Sequence, residues 1–390
     1  MGQVEGFDSF TVAELRQQGS VKWSKYPDAI GAFIAEMDFG TAPPILDALR
    51  SAVDYASFGY LPDSLANRMA KACAGWQAQR YGWTVDPSQI HPVADVLRGL
   101  EIVIRHFSPP GSAIVLPTPA YMPFLFVPHL MGREIIQVPM LRQDDRWVYD
   151  LEALDQAFAA GGGLLILCNP HNPLGRVMRH SELVAISEVV DRHNARVFSD
   201  EVHAPLVYEG HRHVPYASVS PLAAGHTVTA TSASKAWNIP GLKCAQLIMS
   251  NDADTTTWHT IEGLEEYRYG ASPLGAAANA AAYQSGGPWL DDIIGYLDEN
   301  RRLLGSLLSK HLPGVGYTMP EGTYLGWLDF REAGFGDQPG SVIREHGGVA
   351  LTDGAECGAA GTGFARINVA TPKPILEEMI TRIARVSKDL

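Results

Sequence analysis

Lys235 lies in the segment TSASKAWNIPGLKCA (231–245), between two serines and a second lysine. An amine that attacks a carbonyl must be partly deprotonated, and desolvation or a nearby cation lowers its pKa. Lys243 supplies such a cation, and the hydroxyls of Ser232 and Ser234 suit phosphate oxygens. The segment therefore predicts a site for an aldehyde cofactor that carries a phosphate. Taken alone, Lys235 is also consistent with a solvated surface lysine.

Polar clusters follow three predicted strands. CNPHNPLG follows LLIL, SDEVH follows ARVF, and TSASK follows HTVTA. In open parallel sheets, ligands bind outside the carboxyl ends of the strands, so we expect these loops to converge. Asp200 ends an apolar strand, where a carboxylate is costly unless a cation pairs with it. A protonated ring nitrogen would be such a cation, and an N-cap role is the alternative.

The elements that must position these loops alternate along the chain. Helical segments such as 181–194 separate short β-like runs, which predicts a mostly parallel sheet covered by helices on both faces. A long amphipathic helix at 288–312 stops at Pro313-Gly314, and strands and a closing helix (373–390) follow it. We predict a large domain at 46–287 and a small α+β domain formed by 1–45 and 288–390. The β-like runs of the large domain are 112–119, 134–140, 163–170, 195–201 and 226–234, and those of the small domain are 322–330, 349–354 and 364–370.

Composition excludes several classes of protein. The 390 residues are 46% hydrophobic and 19% charged, as in a globular enzyme, and the formal net charge is −13. That charge opposes binding to nucleic acid or to an anionic membrane. The longest apolar runs, such as 164–168, are too short to span a bilayer, and the first residues do not read as a signal peptide. The four cysteines form no C-x-x-C pair, so we predict reduced thiols and a cytoplasmic protein.

The combined motifs resemble those of fold-type I pyridoxal-phosphate (PLP) enzymes, the aminotransferase class I/II superfamily. They are S-x-S-K-x-x-N-I-P-G-L-K, S-D-E-V-H, N-P-H-N-P-L-G and P-x-Y-x-P-F. VKWSKYP (21–27), AEMDFGTAPPI (35–45) and FGY (58–60) extend the resemblance to the MalY/PatB-type C–S lyases, which are cystathionine β-lyase-like. The resemblance implies an α/β fold of the PLP-dependent transferase (aspartate aminotransferase-like) type.

The resemblance also implies roles around the cofactor ring. Lys235 would bond the cofactor aldehyde and act in catalysis. Asp200 would pair with the pyridinium nitrogen, and Tyr121 would stack on the ring. Asn172 would donate to the phenolic oxygen, with His203 close to the same oxygen.

Further implied roles concern the phosphate, the partner subunit and the substrate. Ser232 and Lys243 would hold the phosphate, helped by backbone amides near Ala94 and Asp95 at a helix start. Tyr60 would reach the phosphate of a neighbouring subunit, which implies a homodimer with shared sites. Arg366 would grip the α-carboxylate of an amino-acid substrate, and Ala35 would contact that substrate. The alternative for Arg366 is a surface ion pair.

Two residues depart from the family pattern. Asp95 stands where small or apolar residues are usual, and we predict that its carboxylate points outward as a first-turn acid, away from the phosphate. Glu36 replaces a more usual aspartate and is expected to reshape the substrate entrance. The HRH cluster at 211–213 is predicted to be a loop and not a metal site.

The function implied is cleavage of L-cystathionine or related cysteine S-conjugates to a thiol, pyruvate and ammonia. The same residues also permit transamination, because the leaving group cannot be read from the sequence. A regulatory binding protein that retains PLP is an alternative of another class.

Overall fold

The computed structural model describes residues 4–389, which contain sixteen α-helices and fifteen β-strands. The helices are α1 Val4–Phe7, α2 Val12–Gln18, α3 Val21–Ser24, α4 Pro43–Asp54, α5 Asp63–Trp76, α6 Val96–His106, α7 Val127–Leu130, α8 Leu151–Ala159, α9 His180–Arg192, α10 Pro221–Gly225, α11 Asp252–Thr260, α12 Leu264–Tyr269, α13 Pro273–Ser285, α14 Gly287–His311, α15 Pro339–Gly347 and α16 Lys373–Asp389. The strands are β1 Ile30–Gly31, β2 Ile90–Val93, β3 Ala113–Thr118, β4 Ile135–Pro139, β5 Leu141–Gln143, β6 Arg146–Val148, β7 Gly162–Cys168, β8 Arg196–Asp200, β9 Thr227–Thr231, β10 Ala245–Met249, β11 Gly316–Tyr317, β12 Leu325–Asp329, β13 Val349–Ala350, β14 Thr352–Asp353 and β15 Phe364–Asn368.

A seven-stranded sheet in the order β2-β10-β9-β8-β7-β3-β4 forms the centre of the fold. The pairs β9–β8, β8–β7, β7–β3 and β3–β4 are parallel, whereas β10 runs antiparallel to both of its neighbours. Strands that are buried on both faces have continuous apolar runs, and helices cover both faces of this sheet. Ile114 and Leu164 pack on one face with α6, and Val115 and Leu165 pack on the other with α8 and α9. The predicted, mostly parallel α/β fold is confirmed.

A four-stranded antiparallel sheet, β11-β12-β15-β14, lies further along the chain. The N-terminal segment joins this region, because β1 pairs in parallel with β13. A buried ion pair fixes the same segment: Lys22 Nζ lies 2.8 Å from Asp38 Oδ2, and Trp23 Nε1 donates to Asp38 Oδ1. These contacts therefore fix the motifs VKWSKYP and AEMDF relative to each other, and the two motifs place Ala35 and Glu36 beside the central sheet.

Most predicted elements are present within one or two residues of their expected bounds. The predicted helix at 288–312 is α14, and the predicted strand at 195–201 is β8. Two strands at one edge of the large sheet, β2 and β10, were not predicted. Only a single turn of 3-10 helix, Pro240–Leu242, separates β9 from β10, so the alternation of strands with long amphipathic helices that indicated the other strands is missing here.

Candidate active site

The carboxyl ends of four strands and the amino end of β10 converge at one edge of the central sheet. Cys168, Asp200 and Ala230 lie side by side at the ends of β7, β8 and β9. Val93, at the end of β2, pairs with Ala245, directly after the loop that carries Lys243. The predicted convergence of the NPHNPLG, SDEVH and TSASK loops is therefore observed.

A cavity of about 560 Å³ opens at this edge. A volume of this size suits a cofactor or another small ligand. Apart from Tyr60, every predicted site residue lines it: Ala35, Ala94, Asp95, Tyr121, Asn172, Asp200, His203, Ser232, Lys235, Lys243 and Arg366.

Lys235 is a buried amine in this cavity. Its Nζ donates to the carbonyl oxygen of Ala35 at 3.0 Å, and Tyr324 Oη donates to the same oxygen at 2.9 Å. Burial, with Arg366 as a second cause, lowers the pKa of Lys235 to about 8, although Glu36 and Asp200 oppose the shift. A substantial fraction of the amine is therefore neutral near neutral pH, as a nucleophile or base requires.

Asp200 is a buried carboxylate that the protein leaves without a cation. Its Oδ1 accepts the Val202 N–H at 3.1 Å, and Oδ2 has only the Cys168 thiol at 3.9 Å. Burial raises the pKa of Asp200 to about 7. No Lys, Arg or His of the described residues lies within ion-pair distance of this carboxylate, and Lys235 acts on it only at longer range. A protonated ring nitrogen would therefore be its direct partner.

Asn172 and Arg366 form one hydrogen-bonded unit. Arg366 Nη1 donates to Asn172 Oδ1 at 2.9 Å, and Nη2 donates to the carbonyl oxygen of Phe33 at 2.6 Å. The Asn172 amide nitrogen makes no hydrogen bond to the described residues, so it can donate to a ligand. The surface ion pair considered for Arg366 is excluded, since the side chain is buried and bonded to neutral groups.

The NPHNPLG loop that carries Asn172 is held against the region of the second sheet. Gly175 has a φ of +66°, and a Cβ there would lie 2.3 Å from the Pro320 side chain. Its carbonyl oxygen accepts the N–H groups of Glu321 and Gly322. Glycine is therefore required for the close approach that fixes this loop.

His203 and Tyr121 complete the central part of the cavity. His203 is buried with Nδ1 unpartnered among the described atoms, and burial lowers its pKa to about 3, so the ring is neutral. The Tyr121 ring packs edge-on against Phe124, with centroids 5.3 Å apart, and burial raises its pKa. Both side chains line the cavity, and their roles toward the cofactor stay predictions.

The N-terminus of α6 faces the cavity beside Ser232 and Ser234. The first backbone N–H groups of a helix have no partners within the helix and favour phosphate. Ser232 Oγ already donates to the Cys244 carbonyl at 2.8 Å and accepts the Ser234 N–H. The Ser234 hydroxyl makes no side-chain hydrogen bond to the described residues, so it is a further candidate to contact a phosphate.

The outward orientation predicted for Asp95 is wrong. Asp95 is the N-cap of α6, where Oδ1 accepts the Arg98 N–H at 2.9 Å. Its Oδ2 lies 2.9 Å from Lys243 Nζ, at the wall of the cavity. The N-cap geometry and the attraction of Lys243 turn the carboxylate inward, because Lys243 has no other carboxylate within 4.0 Å among residues 4–389.

Tyr60 lies away from the cavity of its own chain. Its side chain is 80% exposed, and its ring lies 5.0 Å from that of Tyr269. Two further exposed aromatic residues, Tyr55 and Phe58, lie in the same turn. Tyr60 therefore does not contribute to the cavity of its own chain.

Sequence reasoning missed several residues of the site. Tyr324 shares the Ala35 carbonyl with Lys235, and Thr352 bonds both Arg366 and the Phe33 carbonyl. Glu36, which was expected at the substrate entrance, also lines the cavity, and its Oε2 is buried and unpartnered among the described atoms. The positions of these residues depend on pairing between distant segments, which leaves no local signal for Tyr324 and Thr352.

The HRH cluster has a structural explanation. His213 Nε2 lies 2.9 Å from Glu201 Oε2, and both side chains are buried. Glu201 also accepts from Ser199 and from the Tyr216 N–H. Residues 4–389 contain no group of three or more side chains able to hold a metal ion. Over the same residues, no helix combines the length and apolarity needed to cross a bilayer.

The cavity fits PLP by its chemistry. It offers a low-pKa amine for the aldehyde, an unpaired buried carboxylate for the ring nitrogen, and a helix N-terminus with Ser234 and Lys243 for the phosphate. The unpartnered amide nitrogen of Asn172 suits the phenolic oxygen.

Comparisons with known proteins agree with this fit. The model of the aminotransferase class I and II family matches residues 34–383. The chain is 41% identical to a cystathionine β-lyase of Corynebacterium glutamicum over 96% of this chain and 98% of that protein. It is 34% identical to the cystathionine β-lyase PatB of Bacillus subtilis over 93% and 95% of the two chains. Cystalysin from Treponema denticola, solved with a PLP cofactor, superposes with a TM-score of 0.90 at 28% identity, over 98% of this chain and 99% of that one.

The chain belongs to the aminotransferase class I and II family. Within that family it is a PLP-dependent C–S lyase, so the expected family, cofactor and type of enzyme are confirmed.

Proposed function

We propose that the enzyme cleaves the Cβ–S bond of L-cystathionine or a related cysteine S-conjugate, giving a thiol, pyruvate and ammonia. This proposal rests on one observation. The same cavity contains the Lys235 amine, whose pKa is lowered, and the buried Asp200 carboxylate, which has no cation within ion-pair distance. Relatives named cystathionine β-lyase over nearly the full chain support the choice of substrate class.

Each residue then has a defined task. Arg366 holds the substrate α-carboxylate with its Nε–H, which has no partner among the described residues, and with the Nη1–H that otherwise contacts only the Met122 sulfur at 3.9 Å. The neutral amine of Lys235 removes the Cα proton. When bound, PLP supplies an electron sink for the charge left on Cα, and the Asp200 carboxylate pairs with its ring nitrogen. The Cβ–S bond breaks with its electron pair on sulfur, which takes a proton, and water converts the remaining three carbons to pyruvate and ammonia.

The remaining side chains hold the cofactor in this proposal. Tyr121 covers one face of the ring, and Asn172 and the neutral His203 lie at its phenolic oxygen. Ser232, Ser234 and Lys243 hold the phosphate with the backbone at Ala94 and Asp95. Ala35 orients the amine of Lys235 through its carbonyl and borders the substrate.

Product analysis tests the reaction type. Incubation of the holoenzyme with L-cystathionine should release thiol and pyruvate in equal amounts without any 2-oxo acid acceptor. A transaminase would instead need an acceptor, would aminate it, and would release no thiol. Acceptor-dependent turnover without thiol would overturn the proposal in favour of transamination.

We also propose a homodimer with shared sites, in which Tyr60 reaches the phosphate of the second subunit. Large exposed apolar patches mark interaction surfaces, and Tyr55, Phe58, Tyr60 and Tyr269 are exposed together. The regulatory alternative would need a partner surface of its own, whereas this patch is assigned here to the second subunit. Sedimentation that shows only single chains would contradict the dimer.

Two further assignments remain proposals. A boundary near residues 46 and 288 is supported by the seven-stranded sheet lying within 90–249 and the four-stranded sheet within 316–368, with β1 paired to β13. A cytoplasmic location is supported by four buried free cysteines, namely Cys73, Cys168, Cys244 and Cys357.

Cofactor incorporation should depend on pH through Lys235. Only the neutral amine reacts with the aldehyde, so the rate of PLP uptake by cofactor-free protein should rise with pH to a midpoint near the Lys235 pKa of about 8. Glu36 raises that pKa, so Glu36→Gln should move the midpoint to lower pH. Glu345→Gln, at an exposed position, is the control and should leave it unchanged. A wild-type midpoint near that of an ordinary lysine would contradict the assignment.

Removal of the Asp95 charge should strengthen cofactor binding. Asn caps helices as well as Asp does, so Asp95→Asn keeps the Arg98 contact while it frees Lys243 and removes repulsion of the phosphate. We expect PLP affinity to rise by about 1.5- to fivefold, the range for a partly exposed charge pair. Equilibrium dialysis of PLP measures it, and weaker binding in the variant would show that Asp95 helps to orient Lys243.

A further inference from the structure

Two cations lie on the cavity wall around one pair of aromatic rings. Lys25 Nζ lies 5.2 Å from the ring centroids of both Tyr26 and Phe33. The Arg344 guanidinium carbon lies 5.1 Å from the Tyr26 centroid. All four residues line the cavity, and Lys25 is exposed while Arg344 is half-buried. We call Lys25, Tyr26, Phe33 and Arg344 the cationic rim.

The protein itself barely neutralises the cationic rim. Within the described part of the chain, no carboxylate lies within 4.0 Å of Lys25, and Arg344 has only the exposed Glu345 at 3.9 Å. Cations at the wall of a low-dielectric cleft attract anionic ligands.

Phe33 connects the cationic rim to Arg366, the residue assigned to the α-carboxylate. The Phe33 carbonyl accepts from Arg366 Nη2 and from Thr352 Oγ1, while the Phe33 ring contacts Tyr26 edge-on at 5.2 Å. Ile34, Met122 and Leu351 line the same cavity and offer apolar surface for a thioether. An amino acid held by Arg366 can therefore extend its sulfur-linked side chain toward Lys25 and Arg344.

We propose that Lys25 and Arg344 bind a carboxylate at the far end of the sulfur-linked side chain, so that the enzyme selects cysteine S-conjugates with an anionic tail. This inference rests on the proposed C–S cleavage and specifies its substrate class. Four acidic residues also line the cavity, namely Glu36, Asp95, Asp200 and Glu356. Of these, Glu356 is the one assigned to the ammonium group of a zwitterionic tail.

A matched pair of substrates tests this subsite in the holoenzyme. S-(2-carboxyethyl)-L-cysteine and S-(2-carbamoylethyl)-L-cysteine differ only by a carboxylate in place of an amide. Because hydrogen bonds to charged groups are the stronger ones, wild-type kcat/KM should favour the carboxylate by about 10-fold or more. In the double variant Lys25→Gln, Arg344→Gln, this ratio should fall to near one. Lys310→Gln, an exposed lysine outside the cavity, should keep the wild-type ratio.

A binding measurement tests the subsite independently of catalysis. Thiodipropionate and its monoamide have no amino group, so neither can bond the cofactor aldehyde, and calorimetry measures their affinity. The diacid should bind about 10-fold more tightly than the monoamide to wild type, and the difference should vanish in the double variant. If this preference holds while neither cysteine conjugate is cleaved, the subsite stands and the lyase proposal fails. Cleavage of both conjugates at equal kcat/KM, or an unchanged ratio in the double variant, would overturn the subsite alone.

Discussion

Replacement of Lys235 by alanine is expected to lower kcat for C–S cleavage by about 10⁴-fold, because it removes the amine assigned to proton abstraction. The structure offers no ready substitute among the described residues. Lys243 lines the cavity but pairs with Asp95, Lys25 lies over the rings of Tyr26 and Phe33, and the buried Lys22 pairs with Asp38. Thiol release at saturating substrate, with cofactor occupancy measured on the same sample, gives the effect on kcat.

The control for this variant uses a second lysine of the cavity, Lys243. Lys243→Ala should weaken PLP binding but keep most of kcat once PLP is saturating, since Lys243 is assigned to the phosphate. Lys235→Ala should fold normally, because removal of a desolvated amine carries no cost in burial. Activity of Lys235→Ala within about tenfold of wild type at full occupancy, below the usual range for a general base, would contradict its role.

Substitution of Asp200 by asparagine should lower the activity of the holoenzyme but raise the stability of the cofactor-free protein. In the holoenzyme it removes the partner of a buried ring cation, and loss of one partner of a buried charge pair costs about 2–5 kcal/mol. We therefore expect kcat/KM to fall by about 10²–10³-fold. Asn can still accept the Val202 N–H, so the backbone contact remains.

Without cofactor, Asp200→Asn should stabilise the protein at alkaline pH. Burial raises the pKa of Asp200 from 3.8 to about 7, so the group favours folding while it is protonated, and that contribution is lost as the pH rises through about 7. The variant lacks this loss, and above that pH it should gain roughly 2–4 kcal/mol in the free energy of unfolding. Urea unfolding at about pH 8.5 measures the gain, which should be smaller near pH 5.5. A destabilised cofactor-free variant at both values would show that the carboxylate has a cation in the protein that we have not identified.

Much of the large sheet and of the site follows from local sequence features. Apolar runs separated by amphipathic helices predicted β3, β4, β7, β8 and β9, and ligand binding at strand ends grouped Asn172, Asp200 and Lys235. The resemblance placed His203, Arg366 and Ala35 at the same cavity, although their roles remain to be tested. These features could be read because each depends on a few adjacent residues.

Features that depend on contacts between distant segments of the chain cannot be predicted from local sequence patterns. Asp95 was expected to face outward because nothing in HPVADVLRGL indicates that Lys243, 148 residues later, would attract its carboxylate. Arg344 approaches Tyr26 from a helix more than 300 positions away, so no spacing rule connects them. Tyr324 and Thr352 were missed for the same reason.

In the proposed mechanism, Lys235 drives elimination at Cβ of a sulfur-bearing amino acid. A time course of thiol and pyruvate release from L-cystathionine, by wild type and Lys235→Ala at equal PLP occupancy, tests it most directly. We predict equal and steady release of both products by wild type and almost none by the variant. Comparable release by the two proteins, or consumption of L-cystathionine by wild type without thiol, would contradict the claim.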